Sequence, residues 1–143
     1  MTTIQKQIRD WAAARLLTTT GLTVHRAPRA DIPVESLPAI CMFSHGDKPA
    51  NAGADSSRTH ERIYTLAVDH TVKGRQEEDA TDDLAVKVRH ALLVGPDQLS
   101  ALLPPHTSYI TWAGQEWAGK EGEDPLSGCV QLIDFHYLWR PEW

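Results

Sequence analysis

Residues 61–93 read ERIYTLAVDHTVKGRQEEDATDDLAVKVRHALL, a strand period followed by a helix period. Its first part alternates. Tyr64, Leu66 and Val68 point one way, while Ile63, Thr65 and Ala67 point the other, which is the period of a strand over Glu61–Val72. After Gly74 the period changes. Ala80, Leu84, Val88, Ala91 and Leu92 recur at helical spacing. Glu77, Glu78, Asp79, Asp82 and Asp83 crowd the first turns, and Lys87, Arg89 and His90 lie toward the end, as the helix dipole favours. Gly95-Pro96 is a stop signal.

Upstream, Ile4, Ile8, Trp11, Ala12 and Leu16 form another helical stripe, predicting a helix over Thr3–Leu17. Thr2 and Gln5 have the capping-box spacing, and Gly21 is the stop. Leu22–Arg26 reads as a short strand. Pro28, Pro33 and Pro38 make Ala27–Pro38 irregular, and the apolar run Ala39–Ser44 is a second strand. His45–His60 (HGDKPANAGADSSRTH) has no periodic apolar residue and predicts a long mobile loop, a kind that is usually functional or disordered.

Downstream, Gln98–Leu103 predicts one helical turn before Pro104-Pro105, and Thr107–Ala113 a strand. Gly114–Gly128 predicts a turn or loop. Cys129–Trp139 is the last strand, with Cys129, Gln131, Ile133, Phe135, Tyr137 and Trp139 on one face and Val130, Leu132, Asp134, His136 and Leu138 on the other. The order is α-β-β-β-α-β-β. Strands that follow one another without a helix exclude a doubly wound parallel sheet. The expectation is a single α+β domain over residues 1–143, with a mainly antiparallel four- to five-stranded sheet and two helices packed on one face.

Composition bounds the function. The 143 residues carry 14 Lys and Arg against 19 Asp and Glu, a formal charge of −5. Such a balance provides no global attraction to nucleic acid or to an anionic membrane. Cys41 and Cys129 are too few for a disulfide framework or a four-thiolate zinc site. No apolar run approaches the ~20 residues of a membrane span. The charged amphipathic start lacks the apolar core of a secretory leader, so a cytoplasmic product is the expectation.

No nucleophile elbow, metalloprotease helix or glycine-rich phosphate loop is present, and the expectation is a non-enzymatic protein without a cofactor. Asp69, His70, Asp134 and His136 invite a metal reading. Asp134 and His136 share a strand face, but neighbours Asp69 and His70 point oppositely, so at most three ligands converge, and the spacing is loose beside zinc signatures. Cys41 in its apolar strand reads as a small buried hydrophobe. The acidic cluster at residues 77–83 reads as helix stabilisation. Trp11 belongs to the helix stripe and Trp112 to a strand, both read as buried. Trp117, Trp139 and Trp143 lie outside an obvious core, where aromatics serve interfaces or act as lids.

Four stretches carry a family resemblance: GLTVHRA (21–27), ESLPAICMFS (35–44), the strand and acidic helix RTHERIYTLAVDHTVKG and EEDATDDLAVKVRHALL (58–74 and 77–93), and CVQLIDFHYLW (129–139). Together with the element order, the chain size and the phrase R-x-Y-T-L-x-V-x-H at Arg62–His70, they make the chain resemble the tail terminator (tail completion, minor tail protein U-like) family of long-tailed bacteriophages. The resemblance spans nearly the whole chain. It implies a homo-oligomeric ring, generally a hexamer, on the head-proximal end of a tail tube. Such a ring stops tube polymerisation and presents a surface for head–tail joining. The implied partners are further copies of the chain, the major tail tube protein and a head-proximal connector protein, with DNA only passing through the lumen and no membrane. The implied location is the virion tail, assembled in the host cytoplasm.

Interface candidates are then Asp47, Lys48, Arg58, His60 and Arg62, in and beside the long loop, with Trp117, Trp139 and Trp143. A different head–tail connector or neck protein, a monomeric binding module using the exposed tryptophans, and a small metalloenzyme using Asp134, His136 and His70 are the competing expectations.

Overall fold

A computed structural model describes residues 3–26, 37–50, 60–74, 78–93, 103–120 and 126–139. The element order is α1 (Ile4–Thr20), β1 (Val24–His25), β2 (Ala39–Pro49), β3 (His60–Lys73), α2 (Glu78–Leu92), β4 (Thr107–Lys120) and β5 (Leu126–Trp139). This is the predicted α-β-β-β-α-β-β order. One sheet runs β1-β2-β3-β5-β4. It is mixed rather than wholly antiparallel, because β1 runs parallel to β2 over Val24↔Ile40 and His25↔Cys41. No helix among the described residues is long and apolar enough to cross a membrane.

Helix α1 is capped by Thr3, not Thr2: its Oγ1 accepts from the Lys6 N–H at 3.2 Å. The helix outlasts its predicted end at Leu17 and stops at Thr20. There Gly21 takes the left-handed conformation (φ 70°) and its N–H donates to the Leu17 carbonyl at 2.9 Å. Ile4, Ile8, Ala12 and Leu16 are buried at four-residue spacing, with Trp11 partly buried beside them. On α2, Thr81, Leu84, Ala85, Val88, Ala91 and Leu92 are buried, whereas Ala80 is exposed. Both helices close on Ile40, Met42, Tyr64, Leu66, Val68, Ile133, Phe135 and Tyr137 from the sheet. Arg15 ties the helices together by donating from Nε to the Ala91 carbonyl at 2.6 Å.

Two predicted loops turn out to be strand over much of their length. His45–Pro49 continues β2 against β3, through an irregularity between Ser44 and Gly46, so strand takes the first five residues of the expected loop over 45–60. Residues 51–59 lie outside the described residues, and His60 opens β3. Likewise Gly114–Lys120 extends β4 along β5, with a register shift between Trp112 and Gly114. The physical reason is shared. Backbone ladder bonds come from the neighbouring strand, so β2 and β4 continue through residues that carry no apolar alternation. The predicted stop at Gly95-Pro96, and the helical turn over 98–103 except Leu103, also fall outside the described residues.

Candidate functional site

The irregularity in β2 sets up the first cluster. Before it, Ile40 and Met42 face the helices. One extra residue then shifts the alternation, so Asp47 lies opposite Tyr64 on that same face. There the Asp47 carboxylate accepts three hydrogen bonds: from Gln5 Nε2 at 2.7 Å, from the Tyr137 hydroxyl at 2.6 Å and from Arg62 Nε at 2.8 Å. Gln5 Nε2 also donates to the Tyr137 oxygen at 3.1 Å. Four segments distant in the chain, α1, β2, β3 and β5, meet on one carboxylate.

A neighbouring group extends this anchor. Arg9 Nη1 donates to the Tyr64 hydroxyl at 3.2 Å and to Ser44 Oγ at 3.3 Å, and those two oxygens lie 2.6 Å apart. Electrostatics fit the geometry. Burial, reinforced by the Asp47 hydrogen bond, pushes the Tyr137 hydroxyl above its usual range and keeps it protonated. The Asp47 hydrogen bond holds the Arg62 guanidinium above its ordinary value. A cavity of about 360 Å³ is lined by Gln5, Asp47, Arg62, Tyr137 and Trp139.

The second cluster lies farther up the same face. His70 and Gln131 are fully buried. Gln131 Nε2 is 3.3 Å from His70 Nε2, donates to Gln115 Oε1 at 3.0 Å and lies 3.3 Å from Cys129 Sγ. Its Oε1 accepts from Trp112 Nε1 at 2.9 Å. Arg89 donates to Gln115 Oε1 at 3.2 Å and lies 5.1 Å from the Trp112 ring centroid, a cation–π contact. Gln131 Nε2 can only donate, so wherever it pairs with His70 it is the imidazole Nε2 that accepts. Burial, with the Arg89 charge adding to it, lowers the His70 pKa to about 4. Burial raises the Cys129 thiol to about 11, which leaves it a thiol at neutral pH.

The predicted interface residues divide. Asp47 and Arg62 meet directly, Trp139 lines their cavity, and His60 packs on Trp139 with ring centroids 5.5 Å apart. Lys48 lies opposite Ile63 on the other face and is exposed. Trp117 sits far along β4, opposite Cys129, and is 54% exposed. Trp112, expected to be buried, is 46% exposed, because β4 is the outermost strand and the helices cover it only partly. Arg58 and Trp143 lie outside the described residues.

The proposed metal ligands do not converge. Asp134 accepts from Thr65 Oγ1 at 2.5 Å, and His136 stacks on Tyr109 at 4.0 Å and reaches Thr111 Oγ1 at 3.1 Å. Both are on the face turned away from α1 and α2, whereas His70 is on the opposite one. Among the described residues no three His, Cys, Asp or Glu side chains are grouped for a metal.

Sequence reasoning missed Gln5, Tyr137, Gln131 and Gln115 as a set. One signal was present: Gln131 and Tyr137 place polar atoms on the strongly apolar face of β5, where each needs a partner. The arrangement is one of fixing and positioning. The Asp47 lone pairs are committed to donors from three other elements, which suits an anchor that holds one end of the sheet rigid.

No protein-family model and no curated protein matches the sequence. Among solved structures, the chain is similar to a chain of the virion of a native gene transfer agent (GTA) particle. The TM-score is 0.57 at 15% identity, covering 95% of this chain and 92% of that one. At that identity the likeness is one of fold.

Proposed function

We propose that this chain is a structural protein of a phage-like virion, and within it the ring-forming terminator of a tail tube. The observation that carries the reading is the fold likeness to a GTA virion chain, end to end in both molecules. The four stretches that resemble tail terminators support the finer role. A cyclic ring needs two different faces on each subunit that fit each other, and it ends growth when its far face fits no further tube subunit. The rigid Asp47 anchor would hold one end of the sheet in a single shape for such docking. The net charge of −5 per subunit suits a ring that lets DNA pass without holding it. Nothing in this role requires catalysis, a metal or a cofactor.

The test pairs two measurements. Light scattering and electron microscopy of the purified protein, alone and with tail tubes, are expected to show rings and rings seated on tube ends. Particles assembled without the protein are expected to carry tubes of uncontrolled length. Monomer under every condition, with tube length unchanged by its loss, would overturn the reading.

A further inference from the structure

We infer that neighbouring copies join by continuing the sheet from one subunit into the next, with β4 of one copy hydrogen-bonding along β2 and β1 of its neighbour. This rests on the ring reading above and specifies its interface. Strand β4 runs from Thr107 to Lys120 and ends the sheet, and its outer edge has no strand beside it among the described residues. Tyr109, Trp112 and Trp117 stand 38%, 46% and 54% exposed along it. A long bare edge with exposed aromatics is a template for pairing unless something covers it.

The far side of the sheet offers the matching edge. Strand β1 covers β2 only at Ile40 and Cys41, so Met42–Pro49 has a bare outer edge among the described residues. The two edges span the same rows of the sheet. One row runs Met42, Val68, Gln131, Gln115, and another runs Pro49, Arg62, Tyr137, Thr107. Direction also fits. Strands β2 and β5 run together and β4 runs opposite, so copies related by a rotation axis meet antiparallel.

In three rows the side chains at the two ends are complementary. On the face turned away from α1 and α2, Tyr109 ends the row that begins at Lys48, and Glu116 ends the row that begins at His25. On the helix face, Trp117 ends the row that begins at the half-buried Val24. Joining copies row to row therefore sets an aromatic ring against an ammonium, a carboxylate against an imidazole and an indole against an apolar side chain.

The occupant of each edge is a second copy of this chain, and the test is disulfide trapping. Variants combining Lys48→Cys with Tyr109→Cys or Thr111→Cys sample neighbouring rows on one face, and mild oxidation is expected to yield covalent multimers from at least one pair and from none of the single variants. The native Cys41 and Cys129 are buried. In parallel, amides of residues 107–117 in the unmodified ring are expected to exchange hydrogen roughly tenfold or more slowly than in protein dissociated by dilution. Rings seen by light scattering with no trapped pair and unchanged exchange would overturn the sheet interface while leaving the ring standing. Monomer under all conditions would overturn both.

Discussion

Replacing Asp47 by alanine removes the acceptor for three donors at once. The losses are unequal. Gln5 Nε2 and Arg62 Nε sit where water reaches them, and the Asp47 and Arg62 side chains are 23% and 30% exposed, so each rehydrates and its loss costs about 0–1 kcal/mol. Tyr137 is fully buried, and its hydroxyl proton points at the lost oxygen, so it bears a desolvation cost of about 1–3 kcal/mol. The parts add to about 1–5 kcal/mol with a middle value of about 3, which lowers the Tm by roughly 10 °C in a chain of this size.

Tyr137→Phe removes the stranded group itself and leaves Asp47 its other two donors, so it costs about 1 kcal/mol. The double variant is then expected to be less destabilised than the two singles together, with a coupling of about 1 kcal/mol or more. Urea unfolding followed by tryptophan fluorescence measures this, because Trp139 lines the same cavity. Protein concentration is held constant, since assembly would add its own stability. An Asp47→Ala loss below about 0.5 kcal/mol, or strict additivity with Tyr137→Phe, would refute the anchor.

Two further outcomes follow from the same geometry. His70 has a folded pKa of about 4 against an ordinary 6.5, so its contribution to stability is complete above 6.5. As pH falls from 6.5 toward 4 the unfolded chain takes up the proton and the folded one does not, costing up to about 3 kcal/mol. His70→Gln is expected to flatten that part of the stability–pH curve, and identical slopes for both proteins would show that His70 is not held neutral. Gly21→Ala meets nothing within 4 Å but must keep φ at 70°, so it is expected to lose about 1 kcal/mol in thermal unfolding through backbone strain alone.

Chain pattern and three-dimensional pairing contributed different things. The alternation of residues 61–72 and the helical stripe of 80–92 were legible because each element reports its own burial through its own period. The same holds for the stripe of α1 and the two faces of β5, and with them came the fold class. What stayed hidden depends on partners far along the chain. His45–Pro49 and Gly114–Lys120 are strands because β3 and β5 lie beside them, and their residues carry no apolar signature of that. Asp47 faces the helices only because of an irregularity between Ser44 and Gly46, which shifts every later side chain by one position. Its meeting with Gln5, Arg62 and Tyr137 spans as many as 132 residues of sequence separation.

Local periodicity and composition encode an acidic α+β chain, its element order and its core faces. Three features came from pairing between distant segments: Asp47 is an anchor, His70 is buried opposite the Asp134 and His136 face, and β4 presents an aromatic edge with no strand beside it among the described residues. Each of these is a property of strand order and register, which arise from pairing between distant segments.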